Sequence, residues 1–487
     1  MNQKSENKFT DTNIRKIFGS YDGEGENITR LTEYFLKTDV FDSITSDLPV
    51  RILVGSKGVG KSALFRVAIK EAKEAKTTAI LIKPDDIAEI GETHESLVLS
   101  IRKWKYGLIR IIVRKFLDEF DFFDASIVDT LAVDSVRVGG KVRSAIRNFI
   151  SQYEVSQAIP DDIKAKIEDV LQHQKIEIYL DDLDRGWQNR KEGLIMISAL
   201  INSIRDLSSE NEDLFFKVAL RTDVYYAVRT ADESSDKFEG EVVYYTFTLH
   251  EIFVLLIKRI LTFEGKQVND ETLLRTEQRH LAFHMDSIFE KKFAGKGAWE
   301  NAYMSKVLLS LIRNRPRDLV KLCTLAAKEA YRNRDSLIGA KHILTILPDY
   351  SRNLIADTIA EYKSELPTIE RLIYGMKPDK IKKSAAEIYL YTTPDLRTKL
   401  FKLKQHGDFK FASNDVATPQ ELISFLYKIG FLTARKRNDD NIIIRKSYEE
   451  YYSLAMTTVD FGYDWEVHMG YRWAIQPETL NDLFSRL

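Results

Sequence analysis

The sequence predicts an α/β fold in which a parallel β-sheet carries helices on both faces, with an all-helical segment and a winged-helix-like region after it. Apolar strands alternate with amphipathic helices from residue 51 onward, and such alternation requires crossover connections between parallel strands. Residues 250–350 show only the helical spacing of apolar residues. From about residue 410, a helix pattern is followed by a hairpin pattern.

The composition excludes several classes of protein. The 487 residues are 44% hydrophobic, which suits about two to four globular domains. Lys and Arg number 72 against 73 Asp and Glu, so contact with nucleic acid would need a local basic patch. The single cysteine, Cys323, permits no internal disulfide, as in a reducing cytoplasm. The polar N-terminus and the lack of a long apolar run predict a cytoplasmic protein without a membrane span.

The first apolar strand leads into a glycine-rich loop, GSKGVGKS at residues 55–62, which fits the phosphate-loop pattern G-x-x-x-x-G-K-[ST]. Glycines let backbone N–H groups close around a β-phosphate, and the following helix points its positive end at the anion. A lysine adds charge for the β- and γ-phosphates and a hydroxyl suits Mg²⁺. The sequence therefore predicts a P-loop NTPase core with ATP and Mg²⁺ as ligands. The predicted nucleotide-binding residues are Gly55, Ser56, Lys57, Gly58, Val59, Gly60, Lys61, Ser62 and Ala63.

A second nucleotide signature is the apolar strand at 176–180, which ends in two carboxylates. We expect Asp181 to hold Mg²⁺ together with Ser62, and Asp182 to orient or deprotonate the attacking water. Because an aspartate is shorter than the glutamate that often has this role, slow or absent hydrolysis is an open alternative. The separation between Lys61 and Asp181 is long for such a core, so residues 94–172 are predicted to be a helical insertion.

Arginines supply further candidate site residues. Arg221 or Thr222, at the end of the strand at 215–220, could reach the γ-phosphate, although a turn residue is an equally good interpretation. Other arginines could contact phosphate from a helical lid or act across a subunit boundary as arginine fingers, whereas the plain alternative for each is a solvated charge. The lid candidates are Arg313, Arg315 and Arg317 beside Pro316, and the finger candidates are Arg185, Arg205 and Arg229.

The C-terminal pattern indicates a helix capped by Thr418 and ended by Gly430, followed by two short strands around a polar turn. A helix followed by a two-stranded wing is the outline of a winged helix. Arg435, Lys436 and Arg437 in the wing are candidates for contact with nucleic acid. Contact with a protein is the alternative.

Together these motifs resemble the AAA+-like and STAND-like P-loop ATPases of bacterial conflict systems. Within them, the sequence resembles a group with FGSYD-like lead-ins, GxKGxGKSA and DDLDRGW, the last here at residues 181–187. KAP-type ATPases share the DDLDR element, but their membrane insertions are missing from this sequence. The resemblance implies an ATP-driven switch or oligomer, often serving anti-phage defence, and it places Tyr21 and Asp22 beside the adenine.

The predicted organisation is an ATPase core at 1–250, a helical lid at 251–350, and a linker with a winged-helix-like domain at 351–487. The predicted function is an ATP-hydrolysing switch that forms a homo-oligomer or controls a separate effector protein. One alternative is an ATP-regulated DNA-binding or DNA-loading protein, and another is a nucleotide-bound scaffold that does not hydrolyse ATP. Because no Ser-His-Asp order and no nuclease or deaminase zinc signature is present, any effector chemistry is expected in a partner.

Overall fold

The computed structural model divides the chain into two compact units. The sheet unit is Asn27–Tyr245, and the helical unit combines Met1–Glu26 with Thr246–Leu487. The predicted boundary at 250 lies close to the junction at 245, whereas the first 26 residues group with the helical unit. The structure describes residues 8–21, 25–90, 96–120, 122–123, 141–156, 158–183, 191–231, 238–295, 299–378, 387–412, 414–438, 442–451, 454 and 462–475. Asp22 and Arg185 lie outside these residues.

The sheet unit is built on five parallel strands in the order β2-β3-β4-β1-β5, which confirms the predicted α/β class. Strand β4 separates β1 from β3, and the registers pair Val54 with Leu220 and Leu180 with Val218. The carboxyl ends of β1, β3 and β4 therefore meet at one edge of the sheet. The strands are β1 (Val50–Val54), β2 (Thr78–Ile82), β3 (Ile176–Leu180), β4 (Leu214–Leu220) and β5 (Val242–Tyr244).

Between β2 and β3 the described residues are helical, as the sequence predicted for the insertion. Leu108, Ile112 and Phe116 of its longest helix belong to the same buried core as Ile178 and Val218 of the sheet. The described part of the insertion thus packs into the hydrophobic core of the sheet unit. The helices of the sheet unit are Ile28–Tyr34, Asp39–Thr45, Lys61–Glu74, Pro84–Ile87, Leu97–Asp118, Val142–Ser156, Asp161–His173, Lys191–Glu210 and Thr222–Ala231.

The helical unit begins, after its short N-terminal helix, with a strongly capped helix. Thr248 and Glu251 form a reciprocal capping box, and the apolar residues of this helix from Ile252 to Leu261 are buried. The helix Ala340–Tyr362 contains Pro348 and runs through residue 350, where the sequence predicted a boundary between lid and linker. The helices in this part are Asp11–Phe18, Leu249–Phe263, Asp270–Arg275, Gln278–Leu281, Met304–Leu311, Pro316–Arg332, Ala340–Tyr362 and Ile369–Gly375.

The C-terminal part of the helical unit contains a four-stranded antiparallel sheet in the order β6-β9-β7-β8. Strands β7 and β8 form the predicted hairpin after the predicted helix, and β9 pairs with the other side of β7. The predicted helix and hairpin are both present, and the winged-helix-like assignment stays a prediction. The elements are β6 (Leu390–Tyr391), Thr393–Lys404, Pro419–Lys428, β7 (Leu432–Arg437), β8 (Ile443–Lys446), β9 (Asp464–Val467) and Arg472–Ile475. Among the described helices, none has the length and apolar character needed to cross a lipid bilayer.

Candidate functional site

The phosphate-loop sequence forms a tight connection between β1 and the helix Lys61–Glu74. Gly58 (φ 81°) and Gly60 (φ 112°) adopt left-handed conformations that favour glycine. Gly55 is required for a different reason, because a Cβ there would lie 2.8 Å from the carbonyl oxygen of Tyr245 and 2.9 Å from Cγ1 of Val59. The three glycines thus permit a backbone path that side chains would block.

Three polar side chains converge at this loop. The Nζ of Lys61 donates to the carbonyl oxygen of Gly55 at 2.7 Å. The hydroxyl of Ser62 is hydrogen-bonded to the carboxylate of Asp181, which is only 6% exposed. Burial raises the pKa of Asp181, while the hydrogen bond from Ser62 and the charge of Lys61 act in the opposite direction. The sheet topology therefore places a cation, a hydroxyl and a carboxylate at one edge, although Lys61 and Asp181 are far apart in sequence.

The residues present fit a magnesium–nucleotide complex. Ser62 and Asp181 offer the oxygen ligands that Mg²⁺ prefers, and a site with few protein ligands suits a metal that also binds phosphates. Within the described ranges no group of three or more His, Cys, Asp or Glu side chains could hold a metal ion. Ser62 and Asp181 are accordingly the pair to test as magnesium ligands.

Asp182 and Arg221 lie at the tips of β3 and β4. Asp182 has a left-handed backbone (φ 57°), which aspartate tolerates better than most residues, and its N–H donates to Oδ1 of Asp181 at 3.0 Å. Arg221 directly follows Leu220, whose carbonyl accepts from the N–H of Gly55 at 3.1 Å. The guanidinium of Arg221 is held by Asp223 through bonds of 3.1 and 2.7 Å. Arg221 therefore extends from a strand tip adjacent to the phosphate loop.

The sequence analysis missed Tyr245. Its N–H donates to the carbonyl of Val54 at 2.7 Å, and its ring lies against the loop, since a Cβ on Gly60 would be 3.7 Å from the hydroxyl. Tyr245 is 2% exposed. It follows β5, a strand of three residues that is too short to give a clear alternating pattern.

The three arginines around Pro316 point to different partners. The Arg313 guanidinium is buried against Asp318, and Arg315 pairs with Glu361 at 2.8 Å while only 4% exposed. Arg317 is partly buried, and its Nε donates to the carbonyl oxygen of Tyr21 at 3.0 Å. Burial raises the pKa of the Tyr21 hydroxyl. The helical unit thus joins two predicted site residues, Tyr21 and Arg317, and commits the other two arginines to internal ion pairs.

The remaining basic candidates have varied surroundings. Arg229 pairs with Glu239 at 2.6 Å, and Arg205 is partly buried on the helix Lys191–Glu210. On the hairpin, Arg435 lies 3.8 Å from Glu466, whereas Lys436 and Arg437 are exposed. The hairpin therefore presents two exposed cations and one that faces a carboxylate.

Comparisons with known proteins assign no family to this chain. No family model matches this sequence. A protein of Escherichia coli (strain K12) named "Putative transposon gamma-delta 80.3 kDa protein" is 21% identical over 454 residues, covering 86% of this chain. This chain spans 62% of the length of that relative.

Several solved structures also resemble the chain. The Walker-type ATPase PABY2304 of Pyrococcus abyssi has a TM-score of 0.41 at 13% identity, with 90% of this chain and 97% of that chain covered. The Aeropyrum pernix ORC1 protein in complex with DNA has a TM-score of 0.35 at 13% identity, with 94% and 92% covered. The Thermotoga maritima RuvB Holliday junction branch migration motor has a TM-score of 0.30 at 11% identity, with 89% and 95% covered. At these TM-scores and identities, the likenesses say nothing about the activity of this chain.

Proposed function

We propose that this protein binds ATP with Mg²⁺ and hydrolyses it as a molecular switch. The observation that carries the proposal is the hydrogen bond between Ser62 and Asp181 beside the ammonium of Lys61. A buried carboxylate, a hydroxyl and a lysine at the N-terminus of a helix form a set suited to a metal-bound triphosphate.

Each residue has a separate role in this proposal. The glycine-rich turn allows backbone N–H groups to bind phosphate oxygens, and Lys61 moves its hydrogen bonds from the Gly55 carbonyl to the β- and γ-phosphates. Ser62 and Asp181 would hold Mg²⁺, which neutralises phosphate charge when bound. Asp182 positions the attacking water and accepts its proton, and Arg221 stabilises the γ-phosphate from the tip of β4.

The output of the switch is proposed to be assembly of a homo-oligomer or control of a separate effector protein. Arg185, Arg205 and Arg229 remain the candidates for reaching the nucleotide of a neighbouring subunit. A role in anti-phage defence, and a relationship to KAP-type ATPases, rest on the motif resemblance alone.

A second candidate function is ATP-regulated binding or loading of DNA. The observation that favours it is the hairpin, on which Lys436 and Arg437 are exposed on a two-stranded ribbon. Replacing Arg435, Lys436 and Arg437 with alanine should weaken binding to a duplex and flatten its salt dependence. If fluorescence anisotropy shows that the triple variant binds the duplex with unchanged affinity, the hairpin is not the DNA-binding surface.

Nucleotide binding and turnover of site variants test the main proposal. Lys61→Ala should lose Mg²⁺-dependent ATP binding, whereas Asp182→Ala should bind ATP and lose about 100-fold or more in turnover. Lys73→Ala, an exposed lysine near the far end of the helix that Lys61 begins, is the matched control and should bind normally. Titration calorimetry and a multiple-turnover phosphate assay give both readouts. Wild-type ATP affinity in Lys61→Ala would refute the assignment of the phosphate loop as the ATP site. Undiminished turnover in Asp182→Ala would refute the role of Asp182 as the catalytic base.

A further inference from the structure

The phosphate loop is rich in glycine, with Gly55, Gly58 and Gly60 within six residues. Glycine has more backbone conformations available than any other residue, so such a loop binds a ligand tightly only if its surroundings hold it in the binding conformation. Strand β1 fixes the start of the loop, and the helix Lys61–Glu74 fixes its end. The conformation between these two elements depends on the groups that pack against the loop.

The backbone of Tyr245 lies directly beside the start of the loop. Tyr245 follows β5, which runs parallel to β1 with Tyr244 opposite Val54. The Tyr245 N–H extends this pairing by donating to the carbonyl oxygen of Val54 at 2.7 Å. The carbonyl oxygen of Tyr245 would lie 2.8 Å from a Cβ on Gly55, an approach that only glycine permits without displacement. The first glycine of the loop is thus placed against a fixed segment of backbone.

The side chain of Tyr245 reaches the other end of the loop. A Cβ on Gly60 would lie 3.7 Å from the Tyr245 hydroxyl and 3.8 Å from Cε1 of its ring, which are ordinary van der Waals distances. Apart from the neighbours of Gly60 in sequence, the described part of the chain places only these Tyr245 atoms within 4 Å of that Cβ. Gly60 has a left-handed φ of 112° and is the N-cap of the helix that begins at Lys61. Tyr245 therefore packs against the residue that precedes Lys61 and Ser62.

Other contacts hold the first half of the loop. Val59 is 2% exposed, and its Cγ1 would lie 2.9 Å from a Cβ on Gly55, so this side chain fills the inside of the turn. The N–H of Val59 donates to the carbonyl oxygen of Ser56 at 3.3 Å, and that of Gly55 donates to Leu220 at 3.1 Å. These contacts lie at the start and middle of the loop, whereas Tyr245 contacts both its first and its last glycine.

We propose that Tyr245 is a positioning residue, which holds the phosphate loop in its phosphate-binding conformation before ATP binds. This inference rests on the proposed ATP function and adds to it a residue that acts through the loop. The N–H groups of such a loop bind phosphate in the ground state and in the transition state alike. Loss of their support should therefore weaken nucleotide binding much more than it slows the chemical step.

Two substitutions in the full-length protein test this role by titration calorimetry and steady-state kinetics. Tyr245→Leu removes the ring and keeps an apolar side chain. It should weaken the binding of ATP with Mg²⁺ about tenfold and raise KM similarly, with kcat within about threefold of wild type. Tyr245→Phe keeps the ring and should bind ATP within about twofold of wild type, because packing of the ring supports the loop.

Tyr153→Leu is the control for a general loss of stability. Tyr153 is 1% exposed in the helix Val142–Ser156, and its ring packs against those of Phe123 and Phe149. Its truncation should lower the thermal unfolding midpoint, as Tyr245→Leu does, and leave ATP affinity unchanged. Equal weakening of ATP binding in Tyr153→Leu and Tyr245→Leu would overturn the positioning role, since lost stability would then explain both.

The results distinguish this inference from the function on which it rests. If the wild type binds ATP and Tyr245→Leu binds it equally well, Tyr245 has no positioning role and the ATP site is retained. A fall in kcat with unchanged KM would also overturn the role. Absence of ATP binding by the wild type would refute the proposed function, and this inference with it.

Two provisions keep the test decisive. If the protein binds ATP without turning it over, the titration alone decides the role of Tyr245. If circular dichroism shows that Tyr245→Leu does not fold, Tyr245→Met replaces it with the same expected result, because methionine is large and apolar but lacks a rigid ring.

Discussion

The guanidinium of Arg313 holds the carboxylate of Asp318 in two hydrogen bonds, from Nε to Oδ2 at 2.7 Å and from Nη2 to Oδ1 at 3.0 Å. The same guanidinium donates to Thr358 and Tyr471 from Nη1 at 3.2 and 3.1 Å. Burial alone would raise the pKa of Asp318, but the charge and hydrogen bonds of Arg313 outweigh it and lower that pKa. One side chain thus links the first turn of the helix Pro316–Arg332 to Tyr471.

Removing the charge of Asp318 should destabilise the protein severely. Asp318→Asn leaves Arg313 buried without its counter-ion, and we expect the free energy of unfolding to fall by about 3–5 kcal/mol. Urea denaturation measures the change. Asp357→Asn, which removes the partly exposed partner of Lys321, should cost less than about 1 kcal/mol. Equal effects of the two substitutions would contradict the importance of the buried pair.

Replacement by alanine should affect stability very differently at two glycines of the sheet unit. In Gly55→Ala the new Cβ meets the Tyr245 backbone and Val59, so we expect a loss of about 1–3 kcal/mol in stability and a clear loss of ATP affinity. Gly240→Ala meets nothing within 4 Å and should change stability by less than about 0.5 kcal/mol. Thermal unfolding and ATP titration of both variants test this contrast. Wild-type behaviour of Gly55→Ala would argue against the close backbone approach.

Lys217 should make the stability depend on alkaline pH. This side chain is fully buried, donates to the carbonyl oxygens of Ser46 and Leu48 at 2.7 and 3.2 Å, and has its pKa lowered by burial to about 8. The unfolded chain keeps the proton up to its ordinary pKa of 10.5, so the unfolded state binds more protons between these values. The contribution of Lys217 to the free energy of unfolding should therefore rise by about 3 kcal/mol as the pH increases from about 8 to 10.5.

Comparison of two lysine variants isolates this effect. Lys217→Met should abolish the rise, whereas Lys166→Met, which removes an exposed lysine of the helix Asp161–His173, should preserve it. Urea unfolding across the alkaline range supplies the measurement. A rise of the same size in Lys217→Met would assign the pH dependence to other groups.

His468 should make the stability of the protein depend on pH in the acid range. It is partly buried, its Nε2–H donates to the carbonyl of Ile312 at 3.1 Å, and its Nδ1 accepts from the N–H of Gly470 at 3.2 Å. Burial, aided by the charge of Arg313, lowers its pKa from 6.5 to about 4. The unfolded state therefore takes up a proton first, and about 3 kcal/mol of stability should be lost as the pH falls from 6.5 to 4. His468→Gln should reduce this loss, and His280→Gln, an exposed histidine, should leave it unchanged in the same denaturation series.

Much of the candidate ATP site and the start of the helix Pro419–Lys428 could be predicted from sequence because their signals are local. The glycine spacing at 55–62, the apolar strand before Asp181 and the capping pattern at Thr418 each lie within a few residues. Tyr245 gave no such signal, because three residues of β5 cannot establish a period. The arginines around Pro316 could be grouped by sequence but not assigned, since Glu361 and Tyr471 come from distant segments.

The sequence by itself determined the α/β class, the phosphate loop and the hairpin, because short-range periodicity and glycine geometry specify them. Only the tertiary structure decided that Ser62 meets Asp181, since this contact depends on β4 passing between β1 and β3. It also decided that Arg313 and Arg315 are buried in ion pairs while Arg317 reaches Tyr21. Burial and long-range pairing are properties of the packed chain, and the local residue pattern does not contain them.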